Sequence, residues 1–77
     1  MPRYYFDIRL DEALIRDAEG TELAGRQEAL EFALAEIREL VMTRAGSKLG
    51  LASSKIEVCD TDKELLFAVP FPEALRI

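Results

Sequence analysis

The segment RQEALEFALAEIRELVMTRA, residues 26–45, decides the fold of this chain. Its apolar residues recur at steps of three and four, which places them on one stripe of an α-helix. The stripe consists of Leu30, Ala33, Leu34, Ile37, Leu40 and Val41. The segment contains neither Pro nor Gly and is rich in Ala, Leu and Glu, so its helix propensity is high. Gly25 is the expected N-cap, and Gly46 is expected just after the last turn.

Phe32 falls outside this stripe. At about 100° of rotation per residue, it is predicted on the opposite side of the helix, close to Ala35 and Glu39. Two interpretations stay open. Phe32 is either a single exposed apolar side chain, as monomers commonly carry, or a contact with a second chain.

Four further segments have the composition and alternation of β-strands. They are residues 3–9 (RYYFDIR), 13–16 (ALIR), 55–60 (KIEVCD) and 64–69 (ELLFAV). Residues 17–25 are a predicted loop whose tightest point is Gly20, and residues 46–54 are a predicted connector rich in Gly and Ser. Residues 72–75 are expected to form one helical turn.

The order strand, strand, helix, strand, strand predicts a single α+β domain over residues 1–77. We expect a β-β-α-β-β arrangement of four mainly antiparallel strands, with the long helix packed on one face. Its predicted core is Phe6, Ile8, Leu30, Leu34, Ile37, Val41, Ile56, Val58 and Phe67. Strand 64–69 is apolar on both sides, so it is expected to be covered on both sides or to lie centrally. One helix covers one sheet face, so the other face is expected to carry Tyr5, Cys59, Leu66 and Ala68.

Charge and composition exclude several classes of function. The net charge of −5 argues against binding to nucleic-acid phosphates and to anionic membranes, and it is compatible with a basic protein partner. The chain has no His and a single Cys, Cys59. A lone cysteine cannot form an intrachain disulfide and fits a reducing compartment. The N-terminus lacks the apolar run of a signal peptide, so we expect a cytoplasmic protein.

No motif indicates catalysis, a cofactor or a metal. Without His, the chain lacks the commonest general base and metal ligand, and Cys59 is predicted to be a buried, inert thiol. The densest group of carboxylates is Asp7, Asp11, Glu12, Asp17, Glu19 and Glu22. Carboxylates in pairs can perform acid–base chemistry or bind cations, but Arg side chains interleave with these. A solvated hairpin surface is therefore predicted, and we expect no enzyme.

Several segments resemble a family of small bacterial proteins of unknown function, frequent in alphaproteobacteria. They are the opening MPRYYFDIR, the DAEGTEL loop at residues 17–23, the Ala/Glu/Leu-rich helix, the IEV strand at 56–58 and the VPF exit at 69–71. The chain departs from that pattern at Asp11–Glu12, where relatives often have an Asp-Gly-like turn. It departs again at Gly25, where a better capping residue is common. The resemblance implies the same fold and carries no functional residues.

The order of hairpin, loop and a helix opening with Glu28–Ala29 is also similar to that of HicB-type antitoxins, although no DNA-binding segment follows. Two function hypotheses follow. The first is a non-enzymatic interaction module that forms a homodimer. The alternative is an antitoxin-like inhibitor of a small basic protein. The dimer is expected to bury either Tyr5, Leu66 and Ala68 on the sheet, or Phe32 and Ala35 on the helix.

Overall fold

The computed structural model describes residues 1–11, 13–43 and 53–75 of the chain. In chain order the elements are β1 (Arg3–Arg9), β2 (Leu14–Ile15), β3 (Thr21–Glu22), α1 (Arg26–Met42), β4 (Lys55–Cys59), β5 (Leu65–Pro70) and α2 (Phe71–Ala74). The strands form an open antiparallel sheet, and α1 packs on one of its faces. The predicted α+β class and the order of the long elements are therefore confirmed.

The sheet has the strand order β2-β1-β4-β5, and β3 also pairs with β1. Cross-strand rows form its apolar face: Phe6 lies opposite Val58, which lies opposite Phe67, and Ile8, Ile56 and Val69 form the next row. Because side chains alternate between the faces of a strand, these rows all point toward α1. The strand predicted from the alternation in residues 3–9 begins and ends at the same residues as β1.

The buried face of α1 is rotated from the predicted stripe. Ala29, Ala33 and Ile37 are fully buried, whereas Leu30 and Leu34 are only partly buried. The rotation is roughly 40° at about 100° per residue, and it moves the contact face toward Phe32. Phe32 packs against the core, with its ring centroid 4.6 Å from that of Phe6. The prediction that Phe32 lies on the far side of the helix is therefore wrong.

The ends of α1 are set by backbone contacts. Gly25 is the N-cap as predicted, and its carbonyl accepts the N–H of Ala29 at 3.0 Å. The helix ends at Met42, not at residue 45, because Thr43 adopts an extended backbone. The N–H and hydroxyl of Thr43 both donate to the carbonyl of Leu40. Gly46 and most of the predicted connector lie outside the described residues.

β5 differs most from its prediction. It lies at the edge of the sheet, paired with β4 alone among the described strands, and its exposed residues include Leu65, Ala68 and Pro70. The expectation of a central or doubly covered strand is therefore wrong. Pro70 is the last strand residue, a place that an edge strand tolerates because the missing N–H is not needed for pairing.

Two short elements complete the fold. β3 lies within the predicted loop and pairs Thr21 with Tyr4 of β1. α2 begins one residue before the predicted turn, and its Phe71 is fully buried. The guanidinium of Arg38 on α1 donates to the carbonyl of Ala74 at 3.0 Å, which joins the two helices.

Candidate interaction surface

Asp17 fills a gap in the edge of the sheet beside β1. The partners of β1 on this side are β2 near one end and β3 near the other, so the backbone between them has no strand neighbour. There the Asp17 carboxylate accepts the N–H of Phe6 at 3.1 Å and those of Glu19 at 3.2 Å and Gly20 at 3.0 Å. One side chain therefore satisfies the edge of β1 and fixes the following turn.

Asp7 completes this arrangement from inside the sheet. Its side chain is 3% exposed, and its carboxylate accepts the N–H of Asp17 at 2.8 Å. Asp7 and Asp17 therefore hold each other's segments in place. The prediction of a solvated acidic surface is wrong for Asp7, because this carboxylate is buried and hydrogen-bonded.

Gly20 is the tight point of the loop, as predicted. Its φ of 72° lies in the left-handed region, and a β-carbon there would stand 2.8 Å from the carbonyl oxygen of Tyr4. The sequence Asp17 to Gly20 is thus a turn in which the aspartate supplies the acceptor and the glycine supplies the backbone conformation.

Cys59 lies beside Asp7 and is buried, as predicted. Its Sγ is 4.0 Å from the Asp7 carboxylate. Burial raises the pKa of the Cys59 thiol above its ordinary value, and the negative charges of Asp7 and Glu57 raise it further. Because the thiolate is the reactive form, this environment makes Cys59 a poor nucleophile.

The sheet face opposite α1 combines apolar and charged side chains. Tyr5 lies across from Cys59, and the ammonium of Lys63 stands 3.7 Å from the centroid of the Tyr5 ring. Arg9 and Glu57 form an ion pair at 3.2 Å on the same face. Charged side chains therefore cover this face over β1, and the face is most apolar near β5.

The hydrogen-bond pattern shows which backbone groups of β5 point outward. Phe71 donates to the carbonyl of Ser54 at 2.9 Å, one step beyond the pair Lys55–Pro70. Hydrogen-bonded and non-hydrogen-bonded pairs alternate in an antiparallel ladder. Val69 and Phe67 therefore bond to β4, while the N–H and C=O of Ala68 point away from the sheet.

The two nearest outward-pointing residues of this edge, Pro70 and Leu66, present fewer free backbone hydrogen-bonding groups than Ala68. Pro70 has no N–H. The outward carbonyl of Leu66 accepts the guanidinium of Arg26 at 3.5 Å, a long hydrogen bond, and the same guanidinium lies 5.4 Å from the centroid of the Phe67 ring. Ala68 is therefore the residue of this edge that presents both a donor and an acceptor.

The predicted interaction residues are found in different settings. Tyr5 is half-buried under Lys63, and Ala68 is exposed on the edge strand. Leu66 is half-buried and packs against the core, and Phe32 does the same. Ala35 is exposed on the outer face of α1. Leu65, which was not among the predicted interaction residues, is 58% exposed; the bulge between Val58 and Cys59 shifts its register.

A shallow groove of about 340 Å³ lies between α1 and the β2 edge. Its lining is mixed, because charged side chains lie beside apolar ones. The apolar ones are Phe6, Ile8, Ile15 and Phe32, and the charged ones are Arg16, Asp17, Glu19 and Glu36. Within residues 1–11, 13–43 and 53–75, no three side chains of metal-ligating type come close enough to share an ion. In the same residues no helix has the length and apolar character needed to cross a bilayer.

Comparison with known proteins gives a family and no activity. No curated protein and no solved structure matches the chain. The family model described as a domain of unknown function, DUF6894, matches residues 3–72, from the start of β1 to the beginning of α2. The chain therefore belongs to the DUF6894 family of domains of unknown function.

Proposed function

We propose that this domain is a non-enzymatic interaction module that associates with a second copy of itself through the β5 side of its sheet. The observation that carries this proposal is the outer edge of β5, where Leu65 is 58% exposed and Ala68 and Pro70 are also exposed. Strand edges with apolar side chains are surfaces on which proteins associate. No side chain of β5 is charged, in a chain of net charge −5.

The outer face of α1 supports self-association less well. Phe32, which was one of its two expected contacts, is used inside the chain against Phe6. Ala35 is exposed between Glu31 and Glu39, both of which are exposed. Two copies meeting there would bring like charges together, which is unfavourable.

Light scattering over a dilution series tests the proposal. We expect the wild type to be a dimer that dissociates on dilution, and Ala68→Lys to be a monomer at the same concentrations, because a lysine on a strand edge opposes pairing. Ile15→Lys is the matched control, since Ile15 is 50% exposed on the opposite side of the sheet. A wild-type monomer throughout the series, or a dimer unaffected by Ala68→Lys, would contradict the proposal.

The non-enzymatic part of the proposal is supported by the chain's chemistry. The sequence has no His. The raised pKa of Cys59 disfavours the thiolate, and the carboxylates of Asp7 and Asp17 are engaged by backbone N–H groups. We also propose a cytoplasmic location, which the lone buried thiol supports because free cysteines fit reducing compartments.

A basic protein partner is the second candidate function, as in the HicB-type antitoxins of bacteria. The exposed carboxylates of Glu28, Glu31, Glu36 and Glu39 on α1 favour it, since acidic surfaces attract basic ones. Purification from the native host is the test. A small basic protein should co-purify with the wild type and be lost from a Glu31→Lys, Glu39→Lys double variant.

A further inference from the structure

We infer that two copies of the chain join their sheets by antiparallel pairing of β5 with β5, with Ala68 on the twofold axis. This inference rests on the proposed function and adds its partner surface and register. In this arrangement the N–H of each Ala68 donates to the carbonyl of the other. An isologous contact of this kind uses the same patch on both copies.

The polar groups of the edge select this register. With Ala68 on the axis, Pro70 of one copy lies opposite Leu66 of the other. Pro70 has no N–H to donate, and the Leu66 carbonyl that would receive it already accepts Arg26. Pro70, which lacks an N–H donor, therefore lies opposite a Leu66 carbonyl that already has a donor. Neither residue leaves a backbone group unpaired, which would be costly if the group were buried.

The two neighbouring symmetric registers fit less well. With Val69 on the axis, each Ala68 carbonyl would face Pro70, which cannot donate. With Phe67 on the axis, each Ala68 N–H would face a Leu66 carbonyl that Arg26 already holds. Backbone complementarity therefore favours Ala68 over the positions on either side.

Side chains permit the same contact. Ala68 is small, so the two copies approach without a clash across the axis. The strand residues LLFAVP carry no charge, and the Arg26 guanidinium bonded to the Leu66 carbonyl is a positive charge at this edge in each copy. Since the axis is perpendicular to the sheet, both α1 helices lie on the same face of the joined sheet.

Disulfide trapping tests the register directly. Paired residues that exchange both hydrogen bonds have Cα atoms about 5.5 Å apart, within the range that a disulfide spans. Under mild oxidation, Ala68→Cys should therefore give a covalent dimer. The matched control is Leu65→Cys, because in this register the two copies of residue 65 would lie about 20 Å apart. Wild-type Cys59, which is 6% exposed, controls for background linkage.

A second variant tests the backbone bonds without a side-chain charge. The N–H of Ala68 is not used in the β4–β5 ladder, so Ala68→Pro should keep the fold while removing a donor from each copy. We expect the dimer dissociation constant to rise by roughly tenfold or more, with an unchanged circular dichroism spectrum.

These experiments distinguish the register centred on Ala68 from the more general proposal of self-association through β5. If the wild type dimerises and Ala68→Lys disrupts the dimer, but Leu65→Cys links and Ala68→Cys does not, the register is wrong and self-association through β5 stands. A folded Ala68→Pro variant that dimerises like the wild type also overturns the register. A wild type that is monomeric at all concentrations overturns both.

Discussion

Asp17 shows how one side chain can replace a strand partner. Its carboxylate accepts three backbone N–H groups, including that of Phe6 in the middle of β1. Asp17→Ala leaves the Phe6 donor unsatisfied, and we expect a loss of about 1–3 kcal/mol of unfolding free energy in urea denaturation. Asp17→Asn keeps one acceptor oxygen, so its unfolding free energy should lie between those of the wild type and Asp17→Ala.

Glu19→Ala is the control for this substitution. Glu19 lies in the same loop and is exposed, and only its backbone groups take part in the loop's hydrogen bonds. It should unfold at nearly the wild-type urea concentration. An Asp17→Ala variant as stable as Glu19→Ala would show that the carboxylate does not hold the edge of β1.

The aspartate arrangement was only partly predictable from the sequence. The three-residue spacing from Asp17 to Gly20 is typical of a turn, and Gly20 was predicted as its tight point. The contact of Asp17 with Phe6 and the burial of Asp7 depend on two segments about ten residues apart meeting in space. Alternation places Asp7 correctly on the face away from α1, but alternation gives no sign that the loop covers it.

At the scale of elements, α1 contacts the sheet through a face that contains Phe32. Phe32→Lys removes the aromatic contact with Phe6 and places a charge against the core. A half-buried aromatic side chain in such a pair contributes roughly 1–3 kcal/mol. We expect a loss of this size in unfolding free energy, measured by thermal or urea denaturation.

Ala35→Lys is the matched control on the same helix, because Ala35 is exposed. It should unfold like the wild type. Equal stability of Phe32→Lys and the wild type would mean that Phe32 faces solvent, as the apolar stripe predicted. A loss of the dimer by Ala35→Lys alone would instead assign self-association to the outer face of the helix.

The predictability of each element follows from its length and packing. β1 is seven residues long, enough for its alternation to be recognised, and its bounds were predicted. β3 has two residues, too few for any periodicity, and was missed. The phase of α1 was misjudged because Leu and Val outweigh Ala in an apolar stripe, whereas the small Ala29 and Ala33 lie deepest against the sheet. β5 was expected to lie centrally or to be covered on both sides, because local composition does not specify strand order.

At the scale of the whole molecule, self-association should make stability depend on concentration. A 77-residue chain buries a modest fraction of its surface, so its own core gives marginal stability. Surface buried between two copies would add to that stability. When a folded dimer unfolds to two chains, mass action favours the folded state as concentration rises. With the typical unfolding entropy per residue, each tenfold increase should raise Tm by about 4 °C while the protein remains dimeric.

Differential scanning calorimetry over two decades of concentration measures this shift. Ala68→Pro should show a smaller change of Tm over the same concentrations, because it weakens the pairing and leaves each chain folded. The variant should also match the wild type most closely in dilute solution, where the wild type dissociates. A wild-type Tm that stays constant across the series would mean that the folded chain is stable alone, and the β5 edge would then not join two copies.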